Sequence, residues 1–383
     1  MAICGRPATA GGASNAKLQF TYTGDWTKRT DGVVELRSTG TLVFLEPAVI
    51  DLFLVGGGGA GGRVFQPENG GGGGGGGYTR TLRQISVAGS YSIVIGNGAV
   101  ASTGQSMGAT QGGASSFGNS ASVDGGYSAT TNYGGGSEYA AMMSGANGGS
   151  GGGGGMTGGA IVAGYGLGGS DGADGGHGGY SDTVGGTGQG FTTREFGETT
   201  GKLYAGGGGG GNSGKSSDTV FAGGEGGGGD GANLRSRGTA GVGGDNTGGG
   251  GGGGGYSGSL AYDTPGGNGG SGIVCFRDAA PLPELAGTWV LNERLYAPKS
   301  DVYFTNQDFT IGDASNPNSA TVRNLICTTA KIEYTTTIGY TYTLYTFSAN
   351  TWGTNKYTYL TFPAGATASD EFRAWLASNA TKQ

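Results

Sequence analysis

One stretch of this sequence carries the residues of a phosphate-binding loop. Gly209-Gly210-Gly211-Asn212-Ser213-Gly214-Lys215-Ser216 fits G-x-x-x-x-G-K-[ST]. That loop works where a hydrophobic strand delivers it to a helix N-terminus, whose N–H groups cradle phosphate. Here more glycine precedes it, and Ser217-Asp218-Thr219-Val220-Phe221-Ala222-Gly223 is no amphipathic helix. The match reads as chance in a glycine-rich chain, and the many G-x-G-x-x-G matches fall the same way. Gly168-Gly169-Ser170-Asp171-Gly172-Ala173-Asp174 is a single imperfect copy of a calcium-binding Gly/Asp repeat and reads as a turn. His177 is the only histidine and has no partner at metal or triad spacing. A glycosidase needs two placed carboxylates; Glu195 and Glu198 read as a solvated loop. No catalytic residue, cofactor or metal is expected, and the chain is not expected to be an enzyme.

Recognition is the chemistry left. Tyr127, Tyr133, Tyr139, Tyr165, Tyr180, Phe191 and Phe196 punctuate the glycine runs, with Tyr204 after them. A tyrosine on a loop offers a flat apolar face and a hydroxyl at low entropic cost. The alternative is that such rings pack on the flank of the glycine body.

The elements that must position these rings are unusual. Of 95 glycines, 6 lie in residues 1–55 and 5 in residues 281–383; the other 84 fall between Gly56 and Gly272. The usual share is about 7%. Net charge is −6, which argues against a surface that tracks nucleic-acid phosphates. Cys4, Cys275 and Cys327 form no disulfide or metal pattern. The start, MAICGRPATAGG, has no apolar secretion segment, and Ile50-to-Val55 is too short to span a bilayer. No membrane insertion is expected.

The chain divides into an arm at 1–16, a β platform at 17–55, a glycine-rich body at 56–277, a linker at 278–284 and a β domain at 285–383. In the platform, Lys17–Tyr22, Val33–Leu36, Thr41–Leu45 and Val49–Val55 read as strands, with turns at Gly24-Asp25-Trp26 and Thr30-Asp31-Gly32. Within the body, Leu82–Ile95 reads as a hairpin and Ile273–Phe276 as a closing strand. An isolated glycine run is a flexible coil. Ordered runs have one solution: extended helices of three residues per turn, with outward N–H and C=O groups paired between neighbours. Only glycine fits where such a helix is surrounded. Gly248–Gly255 suits the interior, and mixed pieces such as Gly112–Gly118 and Gly266–Gly272 suit the rim.

After residue 284, Gly287–Leu291, Val302–Phe304, Thr321–Cys327, Ala330–Thr336, Tyr340–Ser348 and Tyr357–Phe362 read as strands of a small barrel or sandwich. Ser369-Asp370-Glu371-Phe372 opens a final helix, with Phe372, Trp375 and Leu376 closing over the sheet. Trp289 reads as a core anchor, although Gly287-Thr288-Trp289 also fits the lipocalin-type G-x-W signature. The fold class expected is mainly β with non-regular structure: a platform, a packed polyglycine II bundle and a C-terminal β domain.

The order LFLVGGGGAGG, GGGGGGGYTR, SYSIVIGNG, GGASSFG, GGGGGGGGYSG, GGNGGSGIVCF, from Leu18 to Phe276, resembles the glycine-rich domain of phage tail fibres and adhesins. The C-terminal LAGTWVLNERL, FTIGD and AWLASNATKQ are similar to a small module of phages and prophages of Gram-positive gut bacteria. The first resemblance implies a sandwich of polyglycine helices whose loops meet a host cell-surface polysaccharide or protein. It implies a virion location, neighbouring tail or baseplate proteins, and the trimeric state common in fibres, although no heptad announces one. The other reading is a structural tail or baseplate decoration protein without receptor contact.

Overall fold

The computed structural model describes residues 18–63, 70–102, 111–129, 145–155, 167–168, 172–176, 193–198, 200–212, 220–232, 239–255, 265–279, 284–291, 309–313, 316–327, 331–336, 341–345 and 359–362, with 373, 376–377 and 380–382 near the end. The structure is mainly β.

Eight strands form the first sheet: β1 (Phe20–Tyr22), β2 (Trp26–Lys28), β3 (Val34–Leu36), β4 (Gly40–Val55), β5 (Thr79–Val94), β6 (Ser115–Phe117), β7 (Ala121–Val123) and β8 (Ile273–Asp278). All pairings are antiparallel, in the order β2-β3-β8-β4-β5-β6-β7, with β1 on β4. Four of the eight strands come from residues 56–277, so the platform is wider than 17–55. The expected pair of strands across 41–55 is one strand of 16 residues, and the expected hairpin at 82–95 is likewise one strand, β5. Its central Gly89 takes a positive φ of 73° opposite Phe44, where the register slips between Phe44 and Ala48. That bulge bends β4 and β5 together, so Leu42 and Phe44 of one half bury in the same cluster as Leu52 and Leu54 of the other. The Ser115 hydroxyl ties the two hairpin ends, accepting from the Gly96 N–H at 3.0 Å and donating to the Val55 carbonyl at 2.6 Å.

Period-two alternation gives this sheet two buried faces. Leu36, Leu52, Leu54, Val274 and Phe276 point into the main core, while Val33, Phe53, Val55, Ile273 and Cys275 form a second cluster with Phe196 and Tyr204.

The glycine body is a packed bundle of three-residue helices, and its hydrogen bonds establish the period. In Gly248–Gly255, Gly250 and Gly253 donate to Gly206 and Gly209, Gly251 and Gly254 to Gly59 and Gly62, and Gly252 to Gly241. Its carbonyls accept on three other sides. Gly77, Gly74 and Gly71 donate to residues 248, 251 and 254; Gly229 and Ala232 to 250 and 253; Gly270 and Gly267 to 249 and 252. Partners repeat after three residues on five sides, Gly241 supplies the sixth, and six neighbouring segments surround this one. A Cβ on Gly250 would lie 2.1 Å from the Gly74 carbonyl oxygen, and on Gly253 1.9 Å from that of Gly71. The expectation of an interior polyglycine helix at 248–255 holds. Rim segments expose one residue in three: Asp124 and Tyr127, Asn97 and Val100, Thr239 and Val242 face outward while the residues between are buried or half-buried.

The C-terminal strands are β9 (Gly287–Leu291), β10 (Phe309–Asp313), β11 (Asn316–Cys327), β12 (Lys331–Thr336), β13 (Thr341–Tyr345), β14 (Tyr359–Phe362) and β15 (Ala380–Lys382). They form one seven-stranded antiparallel sheet, ordered β13-β12-β11-β10-β14-β9-β15. Trp289 is buried and donates its indole N–H to the Leu285 carbonyl at 2.8 Å, the anchor role expected of it. Of the closing helix, Arg373, Leu376 and Ala377 are described and helical, and Leu376 is fully buried. The chain then returns as β15 beside β9, a strand that no local sequence pattern marks. The strand expected at 302–304 lies outside the described residues.

Candidate functional site

The bundle has two poles. Segment 56–63 leaves β4 at Val55 and runs about 22 Å outward, at roughly 3.1 Å per residue. At its far end Gly254 donates to Gly62, Gly71 to Gly254, Gly211 to Gly71, Asn212 to Ala232 and Gly154 to Gly176. The described segments ending at Arg63, Gly155, Asn212, Ala232 and Gly255 thus finish together, away from the sheet. The bend of β4 lies at the opposite pole. There the Leu45 N–H donates to the Gln19 carbonyl and the Ala279 N–H to the Val49 carbonyl, each at 3.0 Å. The chain near Gln19 and near Ala279, on either side of the platform and glycine body, lies at this near pole.

The candidate aromatics separate sharply. Tyr127 is 42% exposed on the bundle flank. Its N–H donates to the Asn147 carbonyl, and the Asn147 side chain accepts from the N–H of Leu167, itself exposed. Burial, with Tyr127 and Asp124 nearby, raises the pKa of the adjacent Tyr78 phenol. Phe196 is instead 1% exposed, its ring tilted 56° to that of Phe53 at 6.2 Å and capped by the Arg277 guanidinium at 4.2 Å. It is a core residue, not a receptor contact, because its segment folds back onto the sheet instead of projecting from it. Tyr204 is buried beside it. Tyr133, Tyr139, Tyr165, Tyr180 and Phe191 lie outside the described residues.

The same fold-back overturns the solvated-loop reading for Glu195, while Glu198 stays partly exposed and bonded to Arg277. Glu195 is buried and accepts from both Arg29 nitrogens, at 2.9 and 2.6 Å, and from the Tyr204 hydroxyl at 3.2 Å. Glu35, also buried, is met by Arg37 at 2.6 Å, Arg29 at 3.4 Å and Lys202 at 3.8 Å. Burial by itself would raise the Glu35 carboxyl; Arg37, Lys202 and Arg29 outweigh it and hold the group below its ordinary value. On the other side, Arg277 bridges Asp51, at 3.3 Å, and Glu198. Arg83 contacts Asp51 at 3.4 Å and donates to the Phe196 carbonyl. Each carboxylate is held by arginine, an arrangement that fastens the segment to the sheet. Sequence reading missed this cluster because its members are scattered from residue 29 to residue 277; only the density of charge at 194–202 marked it.

In the stretch resembling a phosphate loop, Gly209, Gly211 and Asn212 donate their N–H groups to Gly229, Gly71 and Ala232. Those amides are committed to the bundle. Among the described residues no group of three or more His, Cys, Asp or Glu side chains could hold a metal, and no helix is long and apolar enough to cross a membrane.

Fold and surface define a class: a β platform that carries a packed polyglycine bundle. Residues 37–278, from just before β4 to the last residue of β8, match the family described as a glycine-rich domain, and the chain belongs to that family. Neither a curated protein nor a solved structure matched the chain.

Proposed function

We propose that this chain is a non-enzymatic adhesin of a phage tail tip or tail fibre, whose polyglycine bundle presents loops to a polysaccharide or protein of the host cell surface. The layout of the two poles is the observation that carries this reading. Chain passages gather near the bend of β4, and segment ends gather at the far pole. A rigid body fixed at one pole holds its far connections in set positions, where recognition residues are commonly found. Tyr127 and Leu167 add exposed apolar contacts on the flank. Other tail or baseplate proteins would hold the near pole. The second reading, a decoration protein without receptor contact, gains from the withdrawal of Phe196 into the core.

Biotin placed by cysteine substitution at exposed Val220, near the far pole, or exposed Glu46, at the near pole, tests this in a Cys4→Ser, Cys327→Ser background. Purified protein should adsorb to host cells and compete with infection. Streptavidin should block adsorption from Val220 and leave it intact from Glu46. Protein that neither adsorbs nor competes would remove the adhesin reading and leave the decoration reading.

A further inference from the structure

Four segments of the bundle lie side by side on the flank that carries Tyr127, and each sets one side chain outward at the same height. The Gln111 side chain donates to the Gly125 carbonyl at 2.8 Å, and Gln111 and Tyr127 form an isolated bridge. The Tyr127 N–H donates to the Asn147 carbonyl at 2.9 Å, and the Asn147 side-chain oxygen accepts from the Leu167 N–H at 2.7 Å. The row therefore runs Gln111, Tyr127, Asn147, Leu167, and all four are exposed. The three-residue period produces it: Gly112, Gly126, Ser128, Ala146 and Gly148, beside these stations in the chain, are buried. Extended segments that share backbone hydrogen bonds lie about 4.8 Å apart, so the row spans about 15 Å across the bundle axis.

We infer that this row binds a neutral polysaccharide laid across the bundle; the inference rests on the adhesin reading only in taking that glycan to belong to the host surface. The first support is the set of groups offered. Gln111 and Asn147 are each fixed by one hydrogen bond, which leaves the Gln111 oxygen and the Asn147 NH2 on either side of the Tyr127 ring. A pyranose is recognised by that combination, an aromatic face against its C–H side and amides against its hydroxyls. The stations stand about one sugar residue apart, so successive residues of a chain meet successive side chains. The second support is charge. No lysine or arginine occurs between Gly96 and Gly176. The charges beside the row are acidic: exposed Asp124, one turn from Tyr127, and exposed Asp174, which accepts from the Gly168 N–H at 2.7 Å. An anionic polymer would meet carboxylates there and no cation from these segments, whereas a neutral glycan pays no such penalty.

Affinity electrophoresis of the full chain, in native gels each cast with one polysaccharide, tests this without cells. Dextran, mannan, galactan and laminarin are the neutral probes; polygalacturonate and polyglycerol phosphate are the anionic ones. At least one neutral gel should retard the protein, and neither anionic gel should. Tyr127→Ala should weaken the retardation about tenfold, an effect the size of one good contact. Asn147→Asp keeps the acceptor for the Leu167 N–H, loses the NH2 and should weaken it by a similar factor. Tyr127→Phe keeps the ring and should weaken it less. Streptavidin on biotin at Val220 should leave it unchanged. No retardation in any gel, retardation by an anionic gel as strong as by a neutral one, or wild-type retardation in both Tyr127→Ala and Asn147→Asp overturns the row as a glycan site. Protein that adsorbs to host cells yet runs freely in every gel overturns the row, keeps the adhesin reading and points to a protein receptor. Protein retarded by a neutral gel, with both variants weakened, that neither adsorbs nor competes supports the row and removes the adhesin reading.

Discussion

Arg29 and Glu195 stand 166 positions apart in sequence and share two hydrogen bonds, at 2.9 and 2.6 Å. Arg29 follows the short edge strand β2, whereas Glu195 sits in a single 3-10 turn that interrupts the glycine body. The pair therefore joins the platform to a segment that the bundle sends back across it. Hydrogen bonding to Asp31 raises the Arg29 pKa against the opposing effect of burial, and Glu195 adds to the rise. Removing the arginine strands a buried carboxylate. Arg29→Ala should cost about 3 kcal/mol, the usual consequence of leaving one partner of a buried pair uncompensated. Arg29→Lys should recover only part of this, because an ammonium cannot grip both oxygens as a planar fork. Urea denaturation of the three proteins measures it.

Stability should depend on pH at both ends. Asp31, through its bond with Arg29, and Glu35, through its arginines and Lys202, have folded-state values below their ordinary 3.8 and 4.5. Their contribution is complete above those ordinary values and disappears as pH falls through the depressed ones. Burial moves the Cys275 thiol the other way, well above its ordinary 9.0, with nearby Glu195 and Glu35 adding to the rise. Its neutral form belongs to the folded state, so that contribution is complete below 9.0 and shrinks as pH rises beyond it. A denaturation midpoint that is flat from about pH 5 to pH 8 and falls on either side is expected. Cys275→Ala should remove the loss that sets in near 9.0, keep the loss at higher pH that comes from the buried Tyr204 phenol, whose pKa burial also raises, and leave the acid limb unchanged.

Phe196 and Tyr127 should part company when cut to alanine. Phe196 fills the second core against Phe53, so its loss should cost about 3–5 kcal/mol in a chemical melt. Tyr127 is 42% exposed, and its loss should change stability by no more than about 0.5 kcal/mol. Adsorption to host cells should weaken in Tyr127→Ala at unchanged stability; an unchanged adsorption would remove Tyr127 from the contact surface.

Much of this fold was legible because glycine content and strand alternation are local signals. The closing strand at 273–276, the interior placement of 248–255 and the turn at Thr30-Asp31-Gly32 all follow from residues read in place. The bent hairpin was not legible. Gly89 looks like a turn residue between two strand-like runs, and only pairing with β4 turns it into a bulge in one strand. Phe196 misled for a related reason: aromatic residues between glycine runs look alike whether the chain there projects or folds back. What decides is whether distant arginines, at 29, 83 and 277, wait on the sheet to receive the segment.

The three-residue period makes a last prediction about insertions. In Gly248–Gly255 every residue is glycine and every side of the helix meets a neighbour. Adding one glycine there advances the helix by one residue and one-third of a turn, which is the helix's own symmetry. Each donor lands where another donor stood, so stability should be nearly unchanged. On the rim that symmetry is broken by side chains. Tyr127 faces outward, while Ser128 faces inward and its hydroxyl accepts from the Ala60 N–H at 2.8 Å. One glycine inserted between Gly125 and Gly126 would carry Tyr127 to the inward station of Ser128. A phenol ring is far larger than the buried serine side chain it would replace there, and the bond to the Ala60 N–H would be lost. Three inserted glycines would return Tyr127 to the outer face one turn further along. Urea melts should therefore rank the single rim insertion as the most damaging by about 2 kcal/mol or more, with the triple rim insertion and the single interior one both milder. Equal losses for one and three glycines on the rim would show that facing, and with it the helical period, does not govern this body.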